Sequence, residues 1–116
     1  MPPAIDAATQ AIAARDIEAL AQVAEASALQ MHASAIAATP GVLYWNGTTV
    51  ALIHAVRRWR SEGLPCFFTI DAGPHVKVFA EAGAAEQVAA RLRDVPGVTG
   101  VLEAAAGGPA RLVETA

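Results

Sequence analysis

Apolar residues recur at helical spacing through the first third of the chain. The first set predicts a short helix over about residues 4–14, and its members are Ile5, Ala8 and Ile12. Asp16 follows in a position to cap a longer second helix, which should end near Ala38. The apolar face predicted for this second helix comprises Ile17, Leu20, Ala24, Ala28, Met31 and Ala35.

A third helix is predicted from about Thr48 to Glu62, with Gly63 as its natural C-terminal residue. Its inward face should consist of Leu52, Ile53, Val56 and Trp59. The arginines of this helix form the chain's single basic cluster, and we expect all of them on its solvated face: Arg57, Arg58 and Arg60.

Alternation replaces helical spacing in the second half. It predicts the two strands of one hairpin, with Cys66, Phe68 and Ile70 in the first and Val76 and Val78 in the second. A fourth helix should cover residues 84–93, and two more strands should cover residues 98–102 and 110–113. The sequence therefore predicts an α+β fold in which helices pack on one face of a four-stranded antiparallel sheet.

Composition narrows the possible functions. A chain of 116 residues suits a single domain, residues 1–116, and its net charge of -3 favours neither nucleic acid nor an anionic membrane as a partner. The lone cysteine, Cys66, excludes an internal disulfide framework and a cysteine-rich metal site. The sequence shows neither a long apolar membrane span nor a signal peptide, so a cytoplasmic protein is the default expectation.

Asp71 is the candidate catalytic residue. It follows the first hairpin strand, where a rigid element can hold a carboxylate at the mouth of a cleft, a common place for a general base. Gly73 would let the backbone turn sharply beside a ligand, and Pro74 would fix the exit direction. Asp, Gly and Pro are also ordinary turn residues, so the alternative is that Asp71 only closes the hairpin.

Other chemistry is sparse. His32 lies beside the apolar face of the second helix, where a histidine is either a satisfied interior residue or a ligand contact. The three histidines, His32, His54 and His75, lack the close spacing of metal ligands, so no metal site is predicted. The sequence also contains no glycine-rich loop of the kinds that cradle nucleotide phosphates and no Gly-x-Ser-x-Gly elbow.

The run FFTIDAGPHVKVF is similar to the segment of bacterial diphosphomevalonate decarboxylases, members of the GHMP kinase superfamily, that carries their catalytic aspartate. Further blocks agree with that family in order and approximate spacing. Upstream they are Met31-His32-Ala33, Pro40 and Leu43-Tyr44-Trp45-Asn46, and downstream Val95-Pro96-Gly97-Val98 and residues 107–112. The resemblance extends from about Ile12 to the last residues and covers only the family's C-terminal domain.

The resemblance implies a function. In this family, ATP phosphorylates the tertiary 3-hydroxyl of diphosphomevalonate, and loss of phosphate and carbon dioxide then gives isopentenyl diphosphate. Asp71 matches the acid that takes the hydroxyl proton, and we expect Ala72, Gly73 and His32 to contact the substrate. The complete enzyme would use ATP and Mg²⁺, but the isolated chain should bind neither, because the family's ATP loop belongs to an N-terminal domain absent here.

Two alternatives stay open. A mevalonate or phosphomevalonate 3-kinase or decarboxylase would share this fold and much of this segment. A non-catalytic module that binds a small ligand or associates with itself is the other, since small α+β domains serve many functions. We expect the chain to pack against the missing N-terminal domain or to form a homo-oligomer, and we expect it to be inactive alone.

Overall fold

The computed structural model describes residues 2–113. Its elements in chain order are α1 (Pro2–Ala14), α2 (Ile17–Ala37), α3 (Gly47–Ser61), β1 (Cys66–Thr69), β2 (Lys77–Ala80), a short 3-10 helix (Ala82–Ala84) and α4 (Ala85–Arg93). All four predicted helices are confirmed. Asp16 caps α2 as expected, since its Oδ1 accepts a hydrogen bond from Ala19 N at 3.0 Å.

The sheet of the described residues has two strands, and the prediction of four is wrong. β1 and β2 pair antiparallel from Cys66 opposite Ala80 to Thr69 opposite Lys77. Residues 98–102 and 110–113 have no regular secondary structure, and Leu102 and Leu112 are 99% and 100% exposed. Alternation gives a segment strand propensity, but a strand also needs a hydrogen-bonding neighbour, and neither segment pairs with the hairpin.

The core lies between α3, α4 and one face of β1. Its members include Ile53, Val56, Trp59, Cys66, Phe68, Ile70 and Val88. The other face of β1 is buried as well, because Phe67 is 7% exposed and stacks on Phe79 with ring centroids 5.1 Å apart. Leu20 and other residues of the α1–α2 corner line a cavity beside these two rings. Phe79 is itself 51% exposed, so the α1–α2 corner covers this second face only in part.

The buried face of α2 differs from the predicted one. It comprises Ala21, Glu25, Ala28 and His32, whereas Met31 is 43% exposed. The difference has a physical cause: α2 packs against α1 and β1, and its polar side chains hydrogen-bond to the strand backbone, whereas apolar periodicity counts only apolar residues.

Among the helices of residues 2–113, none is both long enough and apolar enough to cross a bilayer.

Candidate functional site

Asp71 lies just past the end of β1, at the mouth of the hairpin. β1 ends at Thr69, whose partner in the ladder is Lys77 at the start of β2. The Asp71 side chain is 78% exposed, and its Oδ2 accepts a hydrogen bond from Lys77 Nζ. A rigid strand pair thus presents the carboxylate at the surface, within reach of a ligand.

The turn after β1, residues 71–74, is anchored at both ends. The carbonyl of Ile70, just before the turn, accepts a hydrogen bond from His32 Nε2 at 3.2 Å. At the far end, the carbonyl of Pro74 accepts one from Thr49 Oγ1 at 2.8 Å. Two different helices therefore hold the backbone that carries Asp71, and we call this segment the Asp71 turn.

The Thr49 anchor is part of the N-terminal cap of α3. Asn46 and Thr49 form a capping box, in which Thr49 N donates to Asn46 Oδ1 at 3.0 Å and Asn46 N donates to Thr49 Oγ1 at 3.2 Å. The single Thr49 hydroxyl hydrogen then points to its nearest acceptor, the carbonyl of Pro74. The cap that starts α3 thus also fixes the exit of the Asp71 turn.

The His32 anchor is buried among aromatic rings. Its side chain is 1% exposed, and its ring lies 5.0 Å from that of Trp45 and 5.8 Å, edge to face, from that of Tyr44. Because Nε2 donates to a carbonyl oxygen, this nitrogen carries a proton. The expected contact of His32 with a substrate stays a prediction, and in the described chain other protein groups cover the ring.

The structure brings Asp71, Ala72 and Gly73 together in one turn, and His32 hydrogen-bonds to the carbonyl of Ile70, the residue just before that turn. Ala72 is exposed and Gly73 half-buried. A methyl group at Gly73 would meet nothing within 4 Å, so packing inside the described chain does not require glycine there. The two remaining histidines, His54 and His75, are exposed, and residues 2–113 contain no group of three or more metal-ligating side chains.

Pattern reading missed a buried ion pair on the edge of β1 that faces away from β2, here called the outer edge. Glu25 accepts hydrogen bonds from Arg60 Nη1 at 2.6 Å, from Arg60 Nη2 at 2.8 Å and from the backbone N of Phe68 at 3.2 Å. Arg60 also donates to the Cys66 carbonyl at 3.1 Å. The Glu25 hydrogen bonds raise the pKa of Arg60 above its ordinary value, so the guanidinium stays charged.

The prediction that all three arginines of α3 face solvent is therefore wrong for Arg60, whose side chain is 13% exposed. A charged side chain can be buried when it pairs with a group of opposite charge, and Glu25 is the buried partner of Arg60. One signal was present in the sequence. Glu25 and His32 are seven residues apart, so they lie on one face of α2, and most of the other residues on that face are alanines. Two polar residues on an otherwise apolar face are a sign that they bind partners inside the protein.

Residues 1–111 match the family model described as the mevalonate 5-diphosphate decarboxylase C-terminal domain. The chain belongs to that family. The match covers Asp71, His32 and Thr49, and it confirms the resemblance seen in the sequence. The Asp71 turn therefore lies within a domain that this family of decarboxylases shares.

Individual relatives agree. Phosphomevalonate decarboxylase of Haloferax volcanii is 29% identical over 111 residues, which cover 95% of this chain and 34% of that protein. A mevalonate diphosphate decarboxylase structure from Enterococcus faecalis is 33% identical with a TM-score of 0.75, over 80% of this chain and 29% of that chain. The decarboxylase from Staphylococcus aureus is also 33% identical, with a TM-score of 0.75 over 79% of this chain and 28% of its own. The chain thus spans about a third of the length of these relatives.

Proposed function

We propose that this chain is the C-terminal domain of an ATP-dependent mevalonate diphosphate decarboxylase and contributes one side of its active site. Asp71 would be the group that orients and deprotonates the 3-hydroxyl. The observation that carries the proposal is the exposed Asp71 carboxylate, held on a turn that two helices anchor within a segment matched by the decarboxylase family. An acid that only closed a hairpin would not need both ends of its turn tied to other elements. Residues of the rest of the enzyme would complete the site.

The chemistry follows from the position of the carboxylate. Lys77 donates to Oδ2 of Asp71, and the exposed carboxylate has further acceptor positions for a substrate hydroxyl. As the 3-oxygen attacks the γ-phosphorus of ATP, its proton passes to Asp71 and ADP leaves. The C–O bond to the new phosphate and the bond to the carboxylate then break together. The departing phosphate takes the C–O electron pair, while the electrons of the lost carboxylate form the alkene.

ATP and magnesium belong to the part of the enzyme that this chain does not span. One similar structure, MDDEF in complex with MVAPP, AMPPCP and magnesium, is 31% identical with a TM-score of 0.76 over 83% of this chain and 30% of that chain.

A decarboxylase or kinase acting on a less phosphorylated mevalonate is the second candidate. The observation that favours it is the similarity over 95% of this chain to the phosphomevalonate decarboxylase of Haloferax volcanii. The two candidates share the role of Asp71, because both modify the same tertiary hydroxyl. They differ in how many phosphates the rest of the enzyme must hold at the other end of the substrate.

A substrate panel tests the proposal. The chain is joined in one polypeptide to the N-terminal part of the Enterococcus faecalis enzyme and supplied with Mg-ATP and mevalonate carrying two, one or no phosphates. We expect ADP and carbon dioxide in equal amounts with the diphosphate. Turnover with the monophosphate alone would select the second candidate, and ADP without carbon dioxide would indicate a kinase. A folded protein that turns over none of the three would contradict both.

A further inference from the structure

We propose that His32 is a positioning residue: by holding the Ile70 carbonyl, it sets where the Asp71 carboxylate points. The inference rests on the proposed role of Asp71 and gives the buried His32 a role through the backbone, in place of the substrate contact expected from the sequence. Three features of the described residues carry it: the place of the hydrogen bond along β1, the burial of its two partners, and the second anchor at the far end of the turn.

The hydrogen bond lies where β1 loses its other partner. The last pair of the β1–β2 ladder is Thr69 with Lys77, so Ile70 is the first residue beyond the ladder and Asp71 follows at once. In an extended strand, alternate residues direct their backbone groups to the same edge. Pro65 accepts from Glu81 N on the β2 side, which places the backbone groups of residues 66, 68 and 70 at the outer edge.

Side chains from two helices occupy this outer edge in register. Arg60 meets the Cys66 carbonyl, Glu25 meets the Phe68 amide, and His32 meets the Ile70 carbonyl. The contact of His32 is the last of the three and the nearest to Asp71. It therefore decides the direction in which the chain leaves β1, whereas Arg60 and Glu25 fix the strand before that point.

Burial makes the contact strong and stationary. His32 is 1% exposed and Ile70 2% exposed, so water cannot replace the hydrogen bond if it is lost. The rings of Tyr44 and Trp45 lie against the imidazole and restrict its rotation. A side chain this deeply buried acts on the Asp71 turn through the backbone carbonyl to which it hydrogen-bonds.

The Thr49 bond to Pro74 closes the arrangement from the other side. With both ends fixed, residues 71–73 have few backbone conformations available, and the carboxylate is held ready before the substrate arrives. Such preorganisation lowers the barrier of a step that depends on orientation. Loss of either anchor would leave Asp71 present but incorrectly directed.

Two variants of the 116-residue chain separate the anchor from the ring. His32→Phe keeps an aromatic ring and removes the donor, and His32→Gln keeps a donor near the position of Nε2. Amide hydrogen exchange and backbone chemical shifts, read by NMR, report on Asp71, Ala72 and Gly73. Glu25→Gln is the matched control, since it perturbs the same outer edge at Phe68.

We expect His32→Phe to raise amide exchange in the Asp71 turn roughly tenfold, as loss of one buried hydrogen bond implies, and His32→Gln to restore part of the protection. Glu25→Gln should lower the melting temperature without a selective effect on the turn. The proposal would be overturned by a folded His32→Phe chain in which the amide exchange rates and chemical shifts of the Asp71 turn equal those of the wild type. An equal loss of protection throughout the chain would also overturn it.

Kinetics in the joined enzyme complete the test. His32→Phe should lower kcat by about 10- to 100-fold and change KM little, because orientation and not binding is lost. An unchanged kcat beside a loosened turn would overturn the positioning role. If Asp71→Asn also left kcat unchanged, the proposed function would fail instead, and the NMR result would still decide whether His32 holds the turn.

Discussion

Glu25 is a charged side chain in an alanine-rich helix, and at the scale of single residues it shows what decides burial in this fold. Its side chain is 5% exposed because it meets both the Arg60 guanidinium and the Phe68 amide, which together offset the cost of removing a carboxylate from water. The fit is mutual, since Arg60 also satisfies the Cys66 carbonyl. The pairing of Glu25 with Arg60 could not be predicted from the sequence, because the two residues are 35 positions apart.

Glu25→Ala should therefore destabilise the chain strongly. It removes the two-bond partner of a largely buried guanidinium and the acceptor of a buried backbone amide, while the exposed Glu18 stays 3.6 Å from Arg60 Nε. We expect this to cost about 3 kcal/mol of unfolding free energy. Glu62→Ala is the control, since Glu62 pairs with Arg91 at the surface at 3.4 Å and should cost less than about 0.5 kcal/mol. Urea unfolding measures both, and equal effects would show that the Glu25 pair is not buried in solution.

Cys66 should make stability depend on pH above its ordinary pKa of 9.0. Burial raises the pKa of this thiol, because the thiolate would lose its hydration inside the core. Above about pH 9 the unfolded chain releases the thiol proton while the folded chain keeps it, so stability present at lower pH is lost as pH rises. The fall in unfolding free energy between pH 8 and 10 should be smaller in Cys66→Ala. Identical slopes in the two proteins would contradict it.

At the scale of elements, the sequence predicts what local physics determines. The helices and their ends follow from apolar periodicity, from the Asp16 cap and from glycine at the end of α3, and each of these signals lies in or next to the helix that it predicts. The third and fourth strands fail as predictions because pairing depends on a distant neighbour. The Asp71 turn could be found from its residues and the family motif, but its anchors could not, since His32 and Thr49 lie 38 and 25 residues from the carbonyls they hold.

Gly97 fixes the loop after α4 against the start of α3. Its φ is +93°, and a Cβ there would lie 2.3 Å from Thr48 Oγ1. Gly97→Ala should therefore cost about 2 kcal/mol or more, from both strain and overlap. Adding Thr48→Ala should recover the part due to overlap. Gly83→Ala is the control, because nothing lies within 4 Å of that position, and thermal unfolding that ranks Gly83→Ala as equally harmful would contradict this account.

At the scale of the whole molecule, exposed apolar side chains are numerous for a chain of this size. They include Leu43 at 68%, Leu102 at 99% and Leu112 at 100% exposure. We expect the chain alone to associate or to bind a hydrophobic dye, because such side chains favour contact with another surface. Light scattering and dye fluorescence measure this, and joining the chain to its N-terminal part should suppress both. A monomeric chain without dye binding would contradict the expectation.

The most direct test of the account replaces Asp71 by Asn in the joined enzyme and measures single-turnover phosphorylation of the 3-hydroxyl together with thermal unfolding. The change removes the proton acceptor and keeps the shape, so we predict a rate lower by about 10²-fold or more and almost unchanged melting. Asp94→Asn, at the end of α4, is the matched control and should leave the rate intact. A normal rate in Asp71→Asn, above all with stability lowered by about 1 to 2 kcal/mol, would show that the carboxylate only supports the hairpin.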